Sequence, residues 1–121
     1  MPAFSISAKQ EGCMFGLVVR FNLKAGSGPD FDKLTDETVT EIRTAEPGTL
    51  VYACHEVEDD PDARVFYELY RDRSAFDAHE QQPHVRRFLA EREQYMAATP
   101  RVEFMRLRTG AGVPSDANQS S

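Results

Sequence analysis

A carboxylate, a phenol and an imidazole fall close together in one stretch of this chain. Glu68 and Tyr70 lie in Val65-Phe66-Tyr67-Glu68-Leu69-Tyr70, and His79 follows in Ser74-Ala75-Phe76-Asp77-Ala78-His79. Period-two alternation puts Phe66, Glu68 and Tyr70 on one side of a strand and Val65, Tyr67 and Leu69 on the other. Ser74 with Asp77 three residues on predicts a helix start of the capping-box kind, with Asp in place of Glu or Gln. His79 then stands one helical turn beyond Ala75 and Phe76, on their inward face. The three groups are expected to converge on one apolar cavity. The plainer alternative is a core histidine bonded to Glu68.

Positioning them takes a strand, a helix and whatever lies beneath. Phe15, Leu17, Val19, Phe21 and Leu23 alternate with Gly16, Val18, Arg20, Asn22 and Lys24, which predicts a first strand. Ala25-Gly26-Ser27-Gly28-Pro29 breaks it and opens a helix, with Pro29 tolerated in the first turn. Phe31, Leu34, Thr38, Ile42 and Ala45 form that helix's apolar stripe, and Glu46-Pro47-Gly48 ends it. A second strand runs from about Thr49 to Glu58. The acidic turn Glu58-Asp59-Asp60-Pro61-Asp62 then joins it to the third as a hairpin. Pro83 separates the helix through His79 from a further one carrying Val85, Phe88, Leu89, Tyr95 and Met96, and Val102 to Arg108 reads as a last strand.

The order β-α-β-β-α(α)-β predicts an α+β, ferredoxin-like sandwich, an antiparallel sheet with its helices on one face. Glu68 and Tyr70 facing the helices would leave Val65, Tyr67 and Leu69 on an apolar outer face. A second copy packed sheet to sheet would cover it, so a homodimer is expected. The domain should span 14–109, with an N-terminal extension over 1–13 and a disordered polar tail over 110–121.

At 121 residues, one core is all the chain supports. A net charge of −6 argues against nucleic acid or an anionic membrane as partner. No apolar run approaches the roughly 20 residues of a membrane span, and the first residues lack the pattern of a secretory signal. The two cysteines, Cys13 and Cys54, form no metal-spaced pair; Cys54 is expected as a small core residue, and a reduced cytoplasmic setting follows. His79-Glu80 with His84 misses the zinc-protease spacing, and Asp59, Asp60 and Asp62 lack the Gly and closing Glu of an EF-hand. No Gly-rich loop follows a strand. Neither metal nor nucleotide is expected.

Glu46-Pro47-Gly48-Thr49-Leu50, the acidic hairpin, Glu68-x-Tyr70, Ala75-x-x-x-His79 and Pro83-His84 resemble, in that order and spacing, the antibiotic biosynthesis monooxygenase (ABM) family, including its quinol monooxygenase type. The resemblance covers about Met14 to Thr109. It implies a dimeric α+β barrel and, in several members, oxidation of phenolic or quinol-like rings by O2 without a cofactor. The family also includes isomerases, so an isomerase or cyclase of a small metabolite, or a non-catalytic binding module, is the alternative. Many members carry Trp where this chain has Tyr70, and there is no Trp anywhere. The Asn, Trp and His set of the haem-degrading relatives has no counterpart here.

Oxidation of this kind needs a base, a dry pocket and donors for a developing oxyanion. His79 suits the base, since an unperturbed imidazole has a pKa of about 6.5, and Glu68 would orient it. Together they are the expected catalytic residues. Tyr70, Tyr52 and Asn22 are candidates to hold substrate oxygens. Phe66, Phe76 and Phe88 would wall the pocket with His84 at its rim, and either Arg20 or Asn22 would meet Glu68 across the sheet. His55 is expected as a surface strand residue.

Overall fold

A computed structural model describes residues 13–114; the expectations for 1–12 and 115–121 lie outside it. Four strands and three helices alternate: β1 (Phe15–Asn22), α1 (Gly28–Ala45), β2 (Thr49–Val57), β3 (Asp60–Tyr70), α2 (Arg73–Gln81), α3 (Pro83–Glu91), a 3-10 turn (Arg92–Tyr95) and β4 (Arg101–Arg106). The strands pair antiparallel in the order β2-β3-β1-β4. This is the ferredoxin-like α+β sandwich that the pattern of hydrophobic periods predicts.

Strand alternation sets which side chains reach the helices. Leu17, Val19 and Phe21 on β1 and Phe66, Glu68 and Tyr70 on β3 are buried on the helix side. The register Leu17↔Glu68 and Val19↔Phe66 keeps these rows together. Phe31 of α1 and Phe88 of α3 close over Phe21 and Phe66, with ring centroids 4.7–6.3 Å apart. Arg64 on β3 pins α1 to the sheet. Its Nε and Nη2 donate to the two carboxylate oxygens of Asp32 at 2.8 and 2.9 Å.

Three local expectations change. The helix after β3 starts one residue before Ser74: Asp72 is the N-cap, accepting from the Ala75 backbone N–H at 2.8 Å. An ionised carboxylate there also meets the positive end of the helix dipole. The hairpin is tighter than the acidic run suggested. Asp60 already pairs with Val57, and Asp59 takes the left-handed turn position at φ 65°, which Asp tolerates better than most residues. Cys54 is exposed rather than in the core.

The outer sheet face is less bare than alternation alone implied. Leu69 is buried, Val65 and Tyr67 are half-buried, and the charged residues Arg20, Arg101 and Glu103 share the face. Among the described residues, the large apolar side chains that stand exposed are Val102 and Phe104. They pair with Val19 and Leu17, so they belong to the helix-facing side of β4.

Candidate active site

Four elements bring polar groups to one place beneath α2 and α3. At the end of α1, Glu46 follows Ile42 by four residues and so continues the buried stripe as the C-cap. Gly48 then lets the chain turn hard against α2. A Cβ at this position would lie 2.7 Å from the Ala75 Cβ, and the Gly48 carbonyl accepts from the Arg71 N–H at 3.0 Å. This close approach sets Glu46 beside His79 of α2 and His84 in the first turn of α3. Pro83 at the head of α3 removes an N–H that would have no helical partner and fixes where His84 begins.

Glu46 holds both imidazoles. Its Oε1 lies 2.7 Å from His79 Nδ1 and accepts from Thr49 Oγ1 at 2.7 Å, and its Oε2 lies 2.5 Å from His84 Nε2. Burial would raise this carboxyl, but hydrogen bonds from His79 and Thr49, the charge of His79 and the bond from His84 outweigh it, so Glu46 stays below the usual carboxylate range. An ionised carboxylate only accepts, so both ring nitrogens facing it must carry hydrogens. His79 is thereby held as its Nδ1–H tautomer. Nε2, with no hydrogen-bond partner among the described residues, is left as the basic nitrogen of a side chain that lines the adjoining cavity.

That cavity, about 130 Å³, lies between the sheet and the α2–α3 layer and opens beside Val102 and Phe104. Phe66, Phe76, Phe88 and Tyr52 supply aromatic walls, and Glu68, His79, Glu80 and Arg92 are the charged or titratable groups that line it with them. Glu68 is 5% exposed. Tyr70 donates its hydroxyl to Glu68 Oε1 at 2.5 Å. Burial raises the Glu68 carboxyl; the Tyr70 bond and the His79 charge oppose this only in part, and the charges of Glu80 and Glu46 add to it. Burial likewise pushes the Tyr52 and Tyr70 hydroxyls up, reinforced by Glu68, so both remain donors at any working pH.

Of the residues singled out from sequence, Glu68, His79, Tyr52, Phe66, Phe76 and Phe88 meet at this cavity. Tyr70 stands behind it, fully buried, its ring 5.1 Å from that of His79. His84 stands on the far side of Glu46 and does not line the cavity. The partner of His79 is Glu46, not Glu68. Arg20 and Asn22 do not meet Glu68: they pair with Val65 and Ala63 and turn to the outer face, where Arg20 bonds Asn22 at 3.2 Å and Asp60 at 3.0 Å. The register responsible sets Leu17, not Arg20, opposite Glu68. His55 is exposed, its Nδ1 3.1 Å from the Val65 carbonyl.

Glu46, which holds His79, and Arg92, which lines the cavity, are not among the site residues that the sequence points to. Each continues an apolar helical stripe by four residues, from Ile42 and from Phe88, and that spacing was the available signal.

The architecture and its sequence have relatives. A Caulobacter crescentus CB15 structure described as a candidate antibiotic biosynthesis monooxygenase superposes with a TM-score of 0.78 at 21% identity, covering 84% of this chain and 95% of that one. Rv0793 from Mycobacterium tuberculosis gives 0.75 at 25% identity over 82% and 99%. An uncharacterised protein, sll1783, of Synechocystis sp. (strain ATCC 27184 / PCC 6803 / Kazusa) is 26% identical over 109 residues, 88% of this chain and 74% of that protein. The model of the antibiotic biosynthesis monooxygenase family matches residues 14–91, from the start of β1 to the end of α3. With that match running over well more than half of its length, and with the fold in agreement, the chain belongs to the antibiotic biosynthesis monooxygenase family.

Proposed function

We propose that the protein is a cofactor-independent monooxygenase that oxidises a quinol or related phenolic ring with O2, acting as a homodimer in the cytoplasm. One observation carries the reading: His79 Nδ1 lies 2.7 Å from the buried Glu46 carboxyl, and the ring whose other nitrogen is left free lines an aromatic-walled cavity. Family membership supports the reaction class.

In the proposed reaction His79 Nε2 takes the proton of the bound hydroxyl, and the electron-rich anion passes one electron to O2. The superoxide and ring radical then join, forming a carbon–oxygen bond, and protonation gives a hydroperoxide. Loss of the remaining C–H proton with cleavage of the O–O bond leaves a carbonyl and releases water. One oxygen atom enters the product and the other leaves as water, and the substrate supplies all four electrons. The aromatic walls exclude bulk water, and the donors for the oxyanion are the Tyr52 hydroxyl and Glu68, whose raised carboxyl keeps its proton to higher pH.

Oxygen uptake with a panel of small hydroquinones tests this. His79→Ala should lower turnover by about 10²- to 10⁴-fold while the dimer mass by light scattering stays at twice the chain mass. Wild-type protein that consumes no oxygen with any of them, or a monomer at micromolar concentration, contradicts the corresponding part. A second reading has its own support. Glu68, whose carboxyl keeps its proton to higher pH, and a base, His79, on one cavity suit proton transfer from one position of a substrate to another, as in an isomerase. Turnover under anaerobic conditions would favour it.

A further inference from the structure

Two sheltered arginines make opposite use of their hydrogens. Arg64, 8% exposed, has an acceptor for each of its three nitrogens: Nε and Nη2 go to Asp32, and Nη1 goes to the carbonyls of Pro61 and Ala63. Arg92, in the 3-10 turn after α3, lines the cavity with its Nε buried and without a partner, and it makes no ion pair among the described residues. Its guanidinium carbon sits 5.6 Å from the Phe21 ring centroid and 6.0 Å from that of Phe88. Those rings hold the cation by its face but satisfy none of its N–H groups. A buried donor left in this way costs stability unless something else fills it.

The charges around Arg92 do not supply the missing acceptor. Glu93 is its exposed chain neighbour, Glu80 stands at the cavity's mouth, and Glu68 is engaged by Tyr70. Burial pulls the guanidinium below its ordinary value, with Glu93, Tyr52, Glu80 and Glu68 only partly offsetting it. A guanidinium that lines the cavity with a buried, unpartnered Nε–H favours an anionic ligand over a neutral one. The cavity's size and walls set the rest of the ligand. About 130 Å³ lined by Phe66, Phe76, Phe88 and Tyr52 suits one aromatic ring.

We infer that Arg92 is the anchor for an ionised ring oxygen, so the cavity selects single-ring phenolates over neutral phenols and their ethers. This rests on reading the cavity as the reaction site and deepens it: Arg92 would hold the anion that forms when His79 takes the hydroxyl proton, and from that anion an electron can pass to O2. Arg92 is in this account a specificity-determining contact, and His79 remains the base.

Binding of 4-nitrophenol tests the inference without any turnover, because only its ionised form is yellow. In the wild type the bound ligand should turn yellow at lower pH than the free one, with the phenolate favoured about tenfold to a hundredfold. Arg92→Gln should remove that preference, and Arg92→Lys should keep part of it. 4-Nitroanisole, which cannot ionise, should bind both variants as it binds the wild type, a check that the cavity is intact. Wild-type protein that binds neither probe, binds the neutral phenol as well as the phenolate, or keeps its preference after Arg92→Gln overturns the inference. A protein that prefers phenolates but consumes no oxygen would keep Arg92's role and remove the proposed oxidation.

Discussion

Glu46 and Glu68 are both sheltered, at 8% and 5% exposure, yet their surroundings push the two carboxyls in opposite directions. Glu46 sits where three elements present donors: Thr49 at the start of β2, His79 on α2 and His84 on α3. Glu68 sits mid-strand among aromatic rings and receives one hydroxyl, from Tyr70 two residues along. Burial raises both carboxyls, and only at Glu46 do the donors outweigh it. Burial alone therefore does not decide the charge of a carboxyl; the number and charge of the donors around it do. Carboxyls whose surroundings push them apart in this way divide the labour of a site. Here Glu46 orients the base, and Glu68 stays protonated to higher pH, where it can donate.

Glu46→Ala breaks the comparison at its stronger end. Two imidazole N–H groups and the Thr49 hydroxyl would lose their acceptor in a sheltered place. The expected cost is about 3 kcal/mol, at the upper end for abandoned buried partners; equilibrium denaturation measures it. The wild-type contribution of Glu46 also has a defined pH dependence. Its folded-state pKa is depressed, so the stability it adds is present above the ordinary value of 4.5 and is lost as pH falls through the depressed value. Denaturation midpoints that fall toward acid in the wild type but less steeply in Glu46→Ala are the expected pattern. An alanine variant as stable as the wild type would mean the three bonds add nothing.

Tyr70→Phe should have a smaller effect at the other carboxyl. The ring, with its contacts to His79 and Phe76 at 5.1 and 5.2 Å, stays in place, and one buried hydrogen bond goes. About 1 kcal/mol is expected. The lost donor should also let the Glu68 carboxyl rise further, because that bond is the main influence holding it down. Carboxyl titration followed by carbon NMR on Glu68 reads this directly, and an unchanged titration would show that the phenol has no hold on the acid.

The contrast also marks how far the sequence can be read. Alternation along Phe15–Asn22 and Val65–Tyr70 sufficed to put Leu17, Glu68 and Tyr70 on the helix side, because one buried face leaves only one phase for a strand. The stripe Phe31, Leu34, Thr38 and Ile42 likewise fixed α1. What periodicity does not carry is the meeting of elements distant in sequence. His79 is 33 residues from Glu46 and 11 from Glu68, and the shorter interval made Glu68 the obvious partner. The choice was decided by Gly48, whose missing side chain admits Ala75 and so brings the end of α1 to α2. Arg20 and Asn22 failed for another reason. Their shared face was evident, but the face belonging to Glu68 depended on register, and Leu17 proved to be its neighbour.

Glu68→Gln should give the smallest effect and the sharpest test of the comparison. Glutamine is a neutral stand-in for the protonated acid and can still accept from the Tyr70 hydroxyl. In the wild type the folded-state pKa of Glu68 lies above its unfolded value, so folding favours the protonated form. Below the unfolded value both states hold the proton and the substitution should be nearly neutral. As pH rises from 4.5 through the raised folded value, the unfolded chain ionises first, and wild-type stability declines by the cost of keeping or losing that proton inside. Glutamine has no proton to lose, so the variant should gain on the wild type across that interval and hold a constant advantage above it. The slope is opposite in sign to that of Glu46, whose contribution grows with pH over its own interval. Paired denaturation curves from pH 4 to pH 8 separate the two. A Glu68→Gln variant that loses ground as pH rises would mean that Glu68 is ionised in the folded protein, and its place as the neutral donor of the cavity would fall with it.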